Sequence, residues 1–539
     1  MSRLETSSPL TRALTSPWLL AAVVLFAFYW QLGVMPLYDL DEGAFTEATR
    51  EMLASGNFIT PHKDGEPRYD KPVLIYWLQA LSASSLGFDE FSLRLPSALA
   101  ATLWVMALWG FVRARLDAPT ATVAALAMTL SLQVSLIAKA AVADAVLNLF
   151  IALAFFEIYR YFLDPGERQS RNALLRAYLW MGLGFLTKGP VAVFFPVVVS
   201  FLFFWSQGRL ERWLQAAFAP LGWLVFVLVA GPWYLAVYLD DGAGFFRSFF
   251  LEHNAGRFGG TMHGHSGFPG YYLVMLPLIL LPFTGWFLSL LARLRTSWAD
   301  PLDRFLWLWF ATVFVFFSFS GTKLPHYLLY GATPLFILMA RHRDALTSRA
   351  LAMVPPLLFF ALLLALPLVV QIAAGQGGRA HEVAQFELAL PLLGPAYLVQ
   401  IALATALVVV LALWSRPALW QRLVLVGLIQ TAVVYGAVVP RVFAVMQAPV
   451  KEAGLLAREL DRPTVVYRTS MPSFSVYRDA ITPHRPPRAG DLVFLRVDKL
   501  DRLIEDYPLL RGEQLYRRGP VALVLMHPRE QARVPGGEG

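Results

Sequence analysis

Residues 72–87 read PVLIYWLQALSASSLG, and if they are counted as a membrane span every later loop changes sides. The stretch is apolar on one side, but it is only about sixteen residues long and carries Gln79, Ser82, Ser84 and Ser85. A bilayer crossing takes roughly 20 predominantly apolar residues. The segment therefore reads as an amphipathic helix lying in the interface. Pro72 at its first helical position pre-sets the backbone where no N–H is needed.

Outward from this point, apolar runs of spanning length appear at about 17–36, 93–114, 119–138, 141–163, 173–187, 190–206, 216–239, 271–292, 304–320, 325–340, 350–373, 391–414 and 421–440. Thirteen is odd, so the termini fall on opposite sides. Alternate connections carry Arg113/Arg115, Arg160/Arg168/Arg171/Arg176, Arg209/Arg212, Arg293/Arg295/Arg304, Arg341/Arg343/Arg349 and Arg416/Arg422, and the N-terminus adds Arg3 and Arg12. Cytoplasmic loops collect basic residues, which puts the N-terminus inside and the C-terminus outside. The run from Pro17 to about Leu37 is long and shows no small-x-small cleavage site before Tyr38, so it reads as an uncleaved first span.

Composition agrees with a polytopic helical membrane protein. Of 539 residues, 57% are hydrophobic and 15% charged, with a mean hydropathy of +0.54. The net charge of +8 is accounted for by arginine-rich turns, with no basic domain large enough to grip nucleic acid. Zero cysteines excludes disulfides, thiolate metal sites and a thiol nucleophile.

The fold class expected is all-α and polytopic, with about 13 transmembrane helices and a small C-terminal soluble α/β domain. Residues 1–446 form the membrane domain and 447–539 the outer domain, where charge (KEAGLLARELD) mixes with short β-rich runs (PTVVYRT, DLVFLRV, VALVLM). Outer loop 37–92 carries a second interfacial helix, Glu42–Ser55, ended by Gly56. Loop 240–270, rich in Gly, His and aromatics, has the composition of a lid.

All seven lysines (Lys63, Lys71, Lys139, Lys188, Lys323, Lys451, Lys499) fall on the outer side in this reading. That runs against the positive-inside tendency, and an anionic ligand at the outer face is the simplest cause. Asp39, Asp41 and Glu42 open the first loop; they are either ordinary anions at a helix start or a general base facing a cavity. Arg68, Tyr69, Asp70 and Lys71 follow at the headgroup level, for lipid headgroups or a specific phosphate. Lys139 with Asp144, Lys188, and Lys323 sit at membrane-edge turns. Singly each is a snorkelling residue; together they point to a cavity. The lid adds Glu252, His253, Arg257, His263 and His265, with Arg257 as a phosphate clamp.

In DLDEGAFTEATREMLASGNFITPHKDGEPRYDKPVLIYWLQ, FSLRLPSALA, LTKGPVAVFFP, EHNAGRF and GTKLPHYLLYGATPL the chain resembles polyprenyl-phosphate-sugar glycosyltransferases of the GT-C type. The bacterial lipid A aminoarabinose transferases are nearest in pattern, and the protein O-mannosyltransferases more distant. The resemblance implies a bacterial inner-membrane enzyme with an undecaprenyl-phosphate-linked donor in an outer-face cavity, and lipid A or a related envelope acceptor. It gives Asp41 the place of the essential acid and Lys71 that of the phosphate-binding lysine, with Glu42 beside Asp41. Arg257, Lys188, Lys323 and Tyr327 complete the donor-phosphate set. Asp70 and His253 match a carboxylate and lid histidine that hold a metal in the aminoarabinose enzymes. The element RYDKP has Asp where those enzymes more often have Glu, and DEGAF lacks their Arg-Tyr pair. The divalent metal and the sugar therefore stay open. The alternatives are a protein O-mannosyltransferase-like enzyme, a flippase for anionic lipids, which would more typically show inverted repeats, and a non-catalytic scaffold.

Overall fold

The computed structural model describes residues 8–163, 166–250, 268 and 270–529. Each of the thirteen apolar runs is helical, but their lengths differ from expectation. Among the described residues seven helices are long and apolar enough to cross a bilayer, namely Glu90–Arg115, Asp144–Leu163, Pro220–Asp241, Pro301–Phe319, Arg349–Gly375, Pro395–Leu413 and Leu419–Met446. The pair Ala118–Leu130 and Leu132–Ala138, bent by 71°, makes eight if taken as one span. The remaining five runs are shorter, broken or partly charged, so thirteen full-length spans are not reached.

The breaks have causes. Around Pro277 and Pro282 the run 271–292 splits into Tyr271–Ile279 and Thr284–Leu291. Its freed carbonyls at Ile279 and Leu281 accept from Ser131 Oγ (2.8 Å), Leu132 N (2.9 Å) and Gln430 Nε2 (3.2 Å). Two of these donors lie at the 71° bend, so the two broken helices satisfy one another. Irregular backbone at membrane depth is tolerable only when buried in protein in this way. Pro325 and Pro334 similarly limit 325–340 to a 3-10 turn, Pro325–Gly331, and a short helix, Thr333–Arg341.

In the first loop the helix Asp41–Ser55 ends at Gly56 in the left-handed conformation, as the sequence indicates. It does not lie open in an interface, because ten of its residues are buried, including Glu42, Glu47, Arg50 and Glu51. The C-terminal segment packs on it through helix Ser473–Arg478. The helix Leu74–Leu86 is too short to span, and Pro72 lies ahead of it, two residues before its first turn. The C-terminal region carries a four-stranded sheet in the order Thr464–Val466, Leu492–Arg496, Val521–Pro528, Leu510–Arg518. The first pair is parallel and the others antiparallel. The last of these strands, LRGEQLYRR, has too little apolar alternation to be read from sequence.

Candidate functional site

Glu42 and Arg94 pin the entrance to the first loop. The Arg94 guanidinium meets both Glu42 oxygens at 2.8 Å and donates to the carbonyls of Leu32, Met35 and Pro36. Ala141 N (2.7 Å) and Tyr38 N (2.8 Å) also donate to Glu42. A buried ion pair is tolerable only with this degree of hydrogen bonding. Four donors fill the carboxylate's acceptor positions, so Glu42, at the wall of a cavity shared with Asp41, is held as a structural clamp.

Asp39 is clasped from the far end of the chain. Its carboxylate accepts from Ser473 N (3.0 Å) and Ser473 Oγ (2.5 Å). Burial pushes its pKa up to about 7 against these hydrogen bonds, and Glu42 and Asp64 add to the rise. Asp41, the first residue of the helix, keeps its side chain exposed to a cavity of about 390 Å3. Asp39, Lys139, Asp144, His326 and Tyr435 also line that space. Lys139 donates to Trp30 O and lies 3.9 Å from the Tyr435 ring centroid; burial, with Arg94 nearby, lowers its pKa to about 7.

A second cavity, about 340 Å3, is lined by Asp70, Lys71, Lys188, Tyr327, Tyr330 and a group of phenylalanines. It offers two lysines and a wall of aromatic side chains, which suits a phosphate carrying an apolar chain. The partition between the cavities is Asp144. Its Oδ1 accepts from Lys188 Nζ (2.7 Å) and Tyr330 OH (2.9 Å), and His326 Nε2 is 3.8 Å away. The turn Pro325–Gly331 thus gives His326 to one cavity and Tyr327 and Tyr330 to the other.

Several expected residues lie elsewhere. Arg68 is buried 4.8 Å from the centroid of the Phe45 ring and 3.5 Å from Asp70, behind the wall of the second cavity and lining neither. Tyr69 donates to Asp241 (2.5 Å) and, with Thr60 on Asp240 (2.6 Å), ties the first loop to helix Pro220–Asp241. Its burial and the Asp241 carboxylate push Tyr69 up to about 12. Lys323 is not among the residues lining either cavity. Glu252, His253, Arg257, His263 and His265 lie outside the described residues. Among the described residues no three His, Cys, Asp or Glu side chains come together as a metal set. Asp70 lines the second cavity beside Lys71, and His253, its expected partner, lies outside the described residues.

Sequence reasoning passed over Arg94, His326, Tyr330 and Ser473. Arg94, His326 and Tyr330 stand inside the motifs FSLRLP and KLPHYLLY, where a polar residue in an apolar run was a usable signal. Ser473 gave none, being joined to Asp39 across 434 positions.

With two cavities at one end of a polytopic helical bundle, the chain has the architecture of a GT-C membrane protein. Its fold matches the crystal structure of ArnT from Cupriavidus metallidurans bound to undecaprenyl phosphate, with a TM-score of 0.74 at 20% identity over 94% of this chain and 97% of that one. Residues 70–235 match the family described as dolichyl-phosphate-mannose-protein mannosyltransferase. The undecaprenyl phosphate-alpha-4-amino-4-deoxy-L-arabinose arabinosyl transferase of Edwardsiella ictaluri is 32% identical over 333 residues, 60% of this chain and 59% of that protein. An uncharacterized protein of Aquifex aeolicus is 31% identical over 59% of this chain and 71% of its own length. The chain belongs to one family with the Aquifex aeolicus protein and, over part of its length, is similar to the arabinosyl transferases and to the mannosyltransferase family. The match to the arabinosyl transferase spans 59% of that relative's length, short of two thirds.

Proposed function

We propose that this chain is an integral-membrane glycosyltransferase moving a sugar from a polyprenyl-phosphate donor to an envelope acceptor, lipid A or a related glycolipid, at the outer face of the bacterial inner membrane. The observation that carries the reading is the pair of cavities divided by Asp144, one holding Lys71 and Lys188 in an aromatic trough and the other holding Asp41. The donor phosphate sits against Lys71 and Lys188, its prenyl chain along Phe194, Phe249 and Phe316. The acceptor enters beside Asp41. An in-line displacement at the anomeric carbon then leaves its negative charge on the departing lipid phosphate. A preorganised donor at such a charge is typically worth about 3 kcal/mol. Asp41 takes the proton of a hydroxyl acceptor; for an already ionised phosphate acceptor it orients the attacking group.

Mass spectrometry of envelope lipids and glycans, after deletion and after complementation, tests this. Complementation with Lys71→Ala is expected to restore at most about a hundredth of the modified product. Asp41→Asn is expected to be equally impaired if the acceptor is a hydroxyl. Full product with both variants overturns the roles given to Asp41 and Lys71, and an envelope unchanged by deletion ends the transferase reading.

A further inference from the structure

His326 is held where the two cavities meet. It lines the cavity of Asp41, and its neighbours Tyr327 and Tyr330 line that of Lys71 and Lys188. Its Nε2 is 3.8 Å from Asp144 Oδ1, the atom that also receives Lys188 and Tyr330. The charges of Asp144, Lys188, Asp41 and Lys71 all act on the ring. Across the first cavity lie Lys139 and Asp39. The Tyr327 ring stands edge-on to the imidazole, 5.0 Å between centroids at 85°, and fixes its plane. A histidine kept purely for packing has no need of a carboxylate 3.8 Å away and a second carboxylate lining the same cavity.

Building on the transferase reading with a hydroxyl acceptor, we infer that His326 is a proton carrier joining the two cavities, passing the acceptor's proton from Asp41 to the departing phosphate. The electron balance closes. The acceptor oxygen bonds to the anomeric carbon while its proton goes to the Asp41 carboxylate. The bond from the anomeric carbon to the phosphate oxygen breaks, and its electron pair stays on that oxygen, giving a phosphate dianion held by Lys71 and Lys188. Asp41 then hands the proton to His326. The imidazolium hands the proton to Asp144 Oδ1, which returns it to the hydrogen-bonded Lys188 as that ammonium protonates the dianion in the neighbouring cavity, and the lipid leaves as a monoanion. The product lipid is thereby released from two lysines with less charge to hold it, and Asp41 is returned to its ionised form. Imidazole suits the task because its unperturbed pKa lies near the second ionisation of a phosphate monoester.

The test uses full-length protein in inner-membrane vesicles, whose lipids and proteins supply acceptors. The donors are synthetic undecaprenyl phosphates carrying an aminopentose, a pentose or a hexose. Release of undecaprenyl phosphate is followed from about pH 5.5 to about pH 9. His326→Gln is expected to lower kcat by about 100-fold and to remove one limb of the wild-type pH profile, in keeping with general acid–base catalysis. Binding of undecaprenyl phosphate itself should stay within about twofold, since the lysines are untouched. His326→Ala should recover in part when free imidazole is added, an effect that a packing role does not give. An active wild type whose profile is unchanged in His326→Gln overturns the role of His326 alone. So does a variant that loses undecaprenyl phosphate binding together with activity and gains nothing from imidazole. A wild type that releases undecaprenyl phosphate from no donor overturns the transferase reading, and this inference with it.

Discussion

Asp39, Asp41 and Glu42 lie within four positions, yet the fold gives each a different chemistry. Glu42 is saturated by Arg94 and two backbone donors, Asp41 is exposed to the cavity, and Asp39, half-buried at its edge, is clasped by Ser473. Asp39 has a consequence for stability. Its pKa is about 7 in the folded chain and near 3.8 unfolded, so between those values the folded state holds a proton the unfolded state has released. Stability then falls as pH rises through that window and levels off above it. Asp39→Asn keeps an acceptor for Ser473 N, turns its amide N–H to a Ser473 Oγ that must then accept rather than donate, and cannot ionise. Thermal unfolding of the purified protein at about pH 5 and about pH 8 should show the variant gaining on the wild type by a few degrees at the higher pH. A gap that is the same at both values contradicts this assignment.

The helix Asp41–Ser55 shows why a clear local pattern misled about its surroundings. Its start at paired acids and its stop at Gly56 were written in the sequence, and both hold. Part of its cover was not, because beside the helix Leu74–Leu86 it is packed by Ser473 and its neighbours more than 400 positions away. Gly43 is the point of closest approach. A Cβ there would stand 2.1 Å from Asp39 Oδ1 and 2.6 Å from Ser473 N, and a backbone atom cannot swing aside. Gly43→Ala gains about 1 kcal/mol of helix propensity but meets an overpacking cost of about 1–3 kcal/mol, and it breaks the Asp39 clasp. Its thermal midpoint should fall. Gly110→Ala, with nothing within 4 Å of the added carbon, should be neutral or slightly stabilising. Equal effects at the two glycines rule out a tight contact at Gly43. The same limit on local reading applies to the broken helices, which read as continuous runs in sequence and whose freed carbonyls find Ser131, Leu132 and Gln430 only in the fold.

The C-terminal region and the first loop fold as one unit. Ser473 holds Asp39, and Ser475 donates to Asp64 (3.0 Å). Tyr477 OH accepts from Leu37 N (2.6 Å) and donates to Glu90 (3.1 Å), which also receives Lys451 (2.5 Å). A region attached this closely must share a side of the membrane with the first loop, and so with Asp41 and Lys71. That constraint turns the arginine and lysine segregation into a single testable statement about orientation. The native chain has no cysteine, so any introduced thiol reports alone. Glu66, exposed in the short hairpin of the first loop, should as Glu66→Cys react with a membrane-impermeant maleimide on intact spheroplasts. Arg517→Cys, on the strand Leu510–Arg518, should react from the same side. Glu211, exposed in the arginine-bearing connection after Val191–Ser206, should as Glu211→Cys react only after the membrane is opened. Labelling of Glu66→Cys and Arg517→Cys from opposite sides contradicts the clasp. Labelling of both only after lysis instead turns the whole molecule over, placing Lys71 and Asp41 in the cytosol, away from an outer-face acceptor.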